Sequence, residues 1–168
     1  MKPTYTGAIV VAALMGVSLA ACTKPTPATP AVDTGKIVAA IKADAAELVT
    51  NFNTHDAVKS VAHDAPDMVG MFHGAANVVG PAADLALTKQ QVADPSAKIT
   101  TSNETVDVAA SGEMAVYRAS YVYNFTNPKT KKPATENGNW LIGYRQQPDG
   151  NWMIAWNVVS DTPEATAK

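Results

Sequence analysis

Cysteine is almost absent from this chain. Cys22 is the only one in 168 residues, so no internal disulfide can brace the fold. Histidine is scarce as well, with only His55, His63 and His73 present. The pairs His55-Asp56 and His63-Asp64 stand eight positions apart, about 80° of rotation on a helix, so they do not stack on one face. Nothing matches HExxH or a compact zinc spacing. No metal ion and no cofactor are expected. An excess of one charge is missing too: 13 Lys and Arg face 15 Asp and Glu, a formal net charge of −2. The one basic cluster, Lys129, Lys131 and Lys132, falls in a Pro-flanked loop and reads as solvated, so no nucleic-acid surface is expected. A long apolar run is also lacking. The longest, GAIVVAALMGVSLAA from Gly7 to Ala21, falls short of the roughly 20 residues a membrane-spanning helix needs.

That short run has a meaning of its own. Lys2 precedes it, and Leu19-Ala20-Ala21-Cys22 ends it, the layout of a cleaved signal segment. The ending resembles the bacterial lipoprotein box. The resemblance implies a signal peptide over residues 1–21, cleavage before Cys22, and lipidation of its thiol and freed amine. Several acyl chains at about 0.8 kcal/mol per buried CH₂ anchor a protein stably. Thr23 follows the cysteine rather than Asp, which by the same resemblance favours the periplasmic face of the outer membrane over the inner membrane. Residues 22–35 alternate Pro with small polar residues and read as a tether. One domain is expected over 36–161, followed by a disordered tail over 162–168.

Within the domain, Ile37, Ile41, Ala45, Leu48 and Phe52 are spaced for one face of an amphipathic helix. A short second helix is predicted from about Asp56 to His63, capped by Thr54 or Asp56. His63 and Asp64 then end it near the surface. A strand follows over Asp67–His73, then a turn into Val78-Val79. Gly80-Pro81 opens a third helix that runs to about Val92. From there the period changes to two. Ile99–Ala110, Met114–Thr126, Trp140–Gln147 and Trp152–Ser160 read as four antiparallel strands, with a loop at Asn127–Gly138. The layout is α+β, with helices on one face of a sheet. GNWLI at 138–142 and GNWMI at 150–154 echo one another as the starts of neighbouring strands, each Trp an inward anchor.

The last strand, Gly150 to Ser160, resembles the closing strand of the nuclear transport factor 2-like superfamily, in its SnoaL-like branch. There Gly-x-Trp-x-Ile is followed by a Ser. The order of the earlier elements agrees: a helix, His55-Asp56, Asp67 before a strand, Gly80 before the third helix, then a meander. The resemblance implies a cone: a curved antiparallel sheet wrapped around three N-terminal helices, with a central pocket. It implies no single reaction, since the superfamily holds isomerases, cyclases, dehydratases and non-catalytic binders.

On strict alternation, Trp152, Ile154, Trp156, Val158 and Ser160 share one face of the last strand. Tyr117, Tyr121, Trp140, Trp152, Trp156 and Asn157 are the candidate ligand contacts. Asp67 and His73 are the candidate catalytic groups, because the family's first strand lines the pocket mouth. Asn157 stands where acid–base members carry a base, and it cannot take a proton. Arg118 and Arg145 fall within strands and need acidic partners, at a rim or dimer contact, or an anionic ligand. Both sheet faces are rather apolar, which points to a homodimer through the sheet. The expectation is a lipid-anchored envelope protein that binds a small hydrophobic or aromatic molecule without catalysis. The alternative is an isomerase, cyclase or hydratase using Asp67 or His73 with a pocket tyrosine.

Overall fold

The computed structural model describes residues 32–162. The apolar leader, Cys22, most of the tether and the tail beyond Thr162 lie outside the described residues. Helix α1 spans Thr34–Asn53, and the Asp33 carboxylate caps it by accepting the Lys36 N–H at 3.0 Å. It thus begins inside the stretch read as tether. Its buried residues include Ile41, Ala45, Leu48 and Phe52, the stripe that the spacing predicts. Helix α2 is one turn, Ala57–Ser60, capped by Asp56, which accepts the Lys59 N–H at 3.0 Å. A 3₁₀ turn at Val61–His63 follows. Strand β1 begins at once, Asp64–Phe72, three residues before the predicted start at Asp67. That shift carries Asp64 from an expected surface position into the interior, where it is 4 % exposed. Strand β2 is Val78–Val79 and helix α3 is Pro81–Val92.

The remaining strands are β3 (Lys98–Val108), β4 (Met114–Thr126), β5 (Pro133–Gln146) and β6 (Trp152–Asp161). They form the predicted antiparallel meander within one six-stranded sheet of order β2-β1-β6-β5-β4-β3. The sheet is not wholly antiparallel as expected, because β1 pairs with β6 in parallel. The last strand arrives beside the first running the same way, and only a long crossover connection can make such a pair.

Strand β5 starts earlier than its pattern suggests. Strand β4 is 13 residues long, and its far half needs a partner for its backbone. The polar run Pro133–Asn137 supplies one, pairing Thr126 with Pro133 and Tyr123 with Glu136. The loop is therefore only residues 127–132. Gly138-Asn139-Trp140 sits inside a strand, whereas Gly150-Asn151-Trp152 leaves a turn in which Gly150 has φ +88°. The two echoed glycines serve different needs. A side chain at Gly138 would place Cβ 2.1 Å from the Ser160 carbonyl oxygen, so the strands could not approach.

Strand β6 also departs from strict alternation. Tyr144 pairs with Ile154 and Gly143 pairs with Trp156, which leaves Ala155 as an extra residue. This is a β-bulge, and it shifts the phase of everything after it. Trp152 and Ile154 point inward, but so do Asn157 and Val159, opposite Ile142 and Trp140. Trp156, Val158 and Ser160 move to the outer face. The single shared face expected for Trp152, Ile154, Trp156, Val158 and Ser160 is corrected accordingly. Gly143 makes room for the turned-out indole, because a Cβ there would lie 2.3 Å from the Trp156 ring. The core between α1 and the inner face centres on Ile41, Met68, Tyr117, Ile142, Tyr144 and Ile154, all fully buried.

Candidate functional site

A cavity of about 300 Å³ opens between the helices and the inner sheet face. Its walls are mostly apolar. Leu48 and Phe52 come from α1, Leu87 from α3, Phe72 from β1, Ile99 from β3 and Val159 from β6. Asn53 fixes the Ile99 wall: its amide donates to the Ile99 carbonyl and accepts the Ile99 N–H, each at 2.8 Å. That pairing gives the edge strand a surrogate neighbour and ties it to α1.

Three sets of polar groups interrupt the apolar wall. In the first, the Trp140 indole N–H donates to Asn157 Oδ1 at 2.7 Å, and both residues line the cavity. In the second, the Tyr121 hydroxyl donates to Glu136 Oε1. His73 Nε2 lies 3.1 Å from the same oxygen, and its Nδ1 lies 3.5 Å from Asp161 Oδ1. Burial, then the Glu136 carboxylate, raises the Tyr121 hydroxyl above the ordinary phenol range. Tyr123, which lines the same wall, is pushed up to about 12, chiefly by burial.

The third set is a carboxyl pair, Asp64 at the start of β1 and Asp84 in the first turn of α3. Both line the cavity, at 4 % and 7 % exposure. Asp64 Oδ2 is buried and receives no hydrogen bond from an N–H group or a hydroxyl of the protein. Burial and then the Asp84 charge push the Asp64 carboxyl up to about 8. Burial also raises Asp84, while a hydrogen bond with Asp64 opposes that rise. Two carboxyls in one dry wall cannot both ionise cheaply, so they hold a proton between them.

The structure brings His73, Tyr121, Trp140 and Asn157 together around the cavity. It places the other candidates elsewhere. Asp67 is exposed and does not line the cavity. Its Oδ2 accepts from Arg145 Nη1 at 3.0 Å, and that guanidinium holds its carboxyl below the ordinary range. Tyr117 is fully buried in the core. Trp152 packs half-buried against that core. Trp156 lies on the outer face, with the Arg145 guanidinium 5.8 Å from its ring centroid. Cys22 lies outside the described residues. Arg118 pairs with Asp107 at 2.6 Å on the surface, so both arginines meet acidic side chains rather than the cavity. The histidines are dispersed. His55 Nδ1 bonds the Val92 carbonyl at 2.8 Å and His63 Nδ1 bonds Asp44 at 2.6 Å.

Asp64, Asp84 and Glu136 escaped the sequence reading. The sequence pattern places Glu136 in the Asn127–Gly138 loop and Asp64 at a helix end. Asp84 sits on the buried stripe Asp84–Thr88–Val92 of α3, four residues apart. One signal was available there: Leu85 and Leu87 cannot share one helical stripe, so polar residues had to complete the inner face.

No family model matches this chain, and no curated protein matches it. Solved structures do. A nuclear transport factor 2-like superfamily protein from Salmonella enterica serovar Typhimurium superposes with a TM-score of 0.66 at 11% identity, covering 79% of this chain and 96% of its own. A hexachlorocyclohexane dehydrochlorinase from Novosphingobium barchaimii gives 0.66 at 13% identity, over 74% and 86%. A ketosteroid isomerase-like protein from Erwinia carotovora gives 0.62 at 22% identity, over 75% and 97%. The described residues therefore have the nuclear transport factor 2-like fold, with helices packed into a curved, unclosed sheet around a pocket.

Proposed function

We propose that the domain receives a small, largely apolar or aromatic molecule in the cavity beneath its sheet, and that lipidated Cys22 holds it at the periplasmic face of the outer membrane. One observation carries the first half: a concave space of about 300 Å³ with aromatic and aliphatic walls and a few convergent polar groups. Such concave sites are the usual places for small ligands. Leu87→Trp on the half-buried face of α3 should fill the space. It is expected to abolish binding of an environment-sensitive dye while the melting temperature stays close to that of the parent. Dye binding that survives the substitution would overturn the assignment. Support for the anchor is the Leu-Ala-Ala-Cys ending of the leader. Incorporation of labelled palmitate that disappears in Cys22→Ser is the expected result.

A second reading, proton-transfer catalysis, draws on the His73–Glu136–Tyr121 contacts at the cavity wall. An imidazole and a carboxylate within reach of a tyrosine are the parts such chemistry needs. Solved relatives of this fold carry names of a dehydrochlorinase and an isomerase-like protein. In this reading His73→Gln stops conversion of a bound compound, followed by mass spectrometry, but leaves its binding intact. Conversion at the parent rate would remove His73 from the mechanism.

A further inference from the structure

The cavity wall carries three carboxyl groups, Asp64, Asp84 and Glu136, and no lysine or arginine. Glu136 is already served by the Tyr121 hydroxyl and the His73 ring. The two aspartates are not so served. Asp64 is 4 % exposed, lines the cavity, and has an oxygen, Oδ2, that no N–H group and no hydroxyl of the protein reaches; its one close polar neighbour is the Asp84 carboxyl. Five aromatic rings share the same space: Phe52, Phe72, Tyr121, Tyr123 and Trp140. The negative faces of aromatic rings attract cations, and a low-dielectric wall of carboxyls strengthens the same preference. An anion would meet three carboxyls, with His73 the one ionisable nitrogen on the wall to offset them.

We infer that the cavity takes a ligand bearing a protonated amine, its ammonium seated on the Asp64–Asp84 pair and its apolar body among the aromatic rings. This rests on the reading of the cavity as a ligand site and names the chemical class that site accepts. The ammonium supplies the hydrogen bonds that Asp64 lacks. It also takes over the work of the proton the pair now holds, so that proton leaves for solvent as the amine enters. The ionisable groups facing Asp64 are Asp84 from α3 and the Tyr144 hydroxyl from β5. Neither is a cation. The adjacent His63 ring is engaged with Asp44 instead.

Tryptamine, tryptophol and indoleacetate share one ring system and differ in headgroup: ammonium, hydroxyl and carboxylate. They would be titrated calorimetrically into the purified full-length protein in a maltoside detergent, with detergent alone as the blank. Tryptamine is expected to bind about tenfold or more tighter than tryptophol, with indoleacetate weakest. Near pH 7 the tryptamine heat should vary with buffer ionisation enthalpy as release of about one proton requires, and the tryptophol heat should not. Asp64→Asn should erase the tryptamine advantage, bringing the ratio of tryptamine to tryptophol affinity to about one. If that variant does not fold, Asp84→Asn makes the same test. Equal binding of tryptamine and tryptophol, or a preference for indoleacetate, would overturn the amine assignment while the cavity remained a ligand site. Binding of none of the three would overturn the amine assignment, and Leu87→Trp against the dye then decides the cavity separately.

Discussion

A carboxyl 4 % exposed beside a second carboxyl is an unusual thing for a fold to keep, and Asp64 is held that way. Its value in the folded chain, about 8, lies above the ordinary 3.8. Between those two values the folded chain keeps a proton that the unfolded chain has released, so stability falls as pH rises through that window. Asp64→Asn removes the slope. The variant is expected to be more stable than the parent at pH 8 by about 2 kcal/mol, the scale of one uncompensated buried polar group. The gap should close toward pH 4, as read by urea denaturation at each pH. A parental slope in the variant would show that Asp64 ionises freely. His63 bends the curve the same way. The hydrogen bond that its ring donates to Asp44 raises its pKa above 6.5 against the opposing effect of burial. Its contribution is complete below 6.5 and fades as pH rises through the folded value.

At the scale of the element, two glycines of β5 separate two kinds of close approach. Gly143→Ala drives a Cβ toward the Trp156 ring, which can tilt. Gly138→Ala drives one toward the Ser160 carbonyl oxygen, which belongs to the sheet itself. The expected losses are about 1–2 kcal/mol for the first and about 3 kcal/mol or more for the second. Equal losses in chemical denaturation would show that the strands can part without cost. Much of the element order was legible. The stripe on α1, the Gly80-Pro81 start of α3 and the alternation of β3, β4 and the end of β5 each follow from local chemistry. The site was legible only in part. His73, Tyr121, Trp140 and Asn157, candidates by sequence, line the cavity, but the bulge at Ala155 leaves no sign in the sequence. Alternating apolar residues run through it without a mark, and only the pairing partner on β5 reveals the extra residue. Asp84 and Glu136 were hidden for a related reason. Their burial comes from what packs against them, not from their own neighbours in the chain.

For the whole molecule, the outer sheet face poses its own question. Leu141 and Met114 are exposed there at 38% and 37%, near half-buried Val116, Trp156 and Val158. The proposal that a second copy covers this face predicts that Leu141→Arg shifts a dimer to monomer in sedimentation equilibrium, with dye binding in the cavity preserved. A parent that sediments as a monomer would remove the proposal. The pairing of β1 with β6 has a further consequence, for the time at which the molecule becomes itself. Val69 finds Trp156, and Met71 finds Val158, only after nearly the whole domain has been made. Contacts so distant along the chain slow folding, and the parallel pair cannot form piecemeal. Until the final strand emerges, β1 has only the two residues of β2 beside it, and the carboxyl wall of the cavity has no opposite side. The proposed export to the outer membrane would need a chain that stays unfolded for that interval. Here the property comes from the strand order itself: the last ten residues of the sheet act as the closing latch.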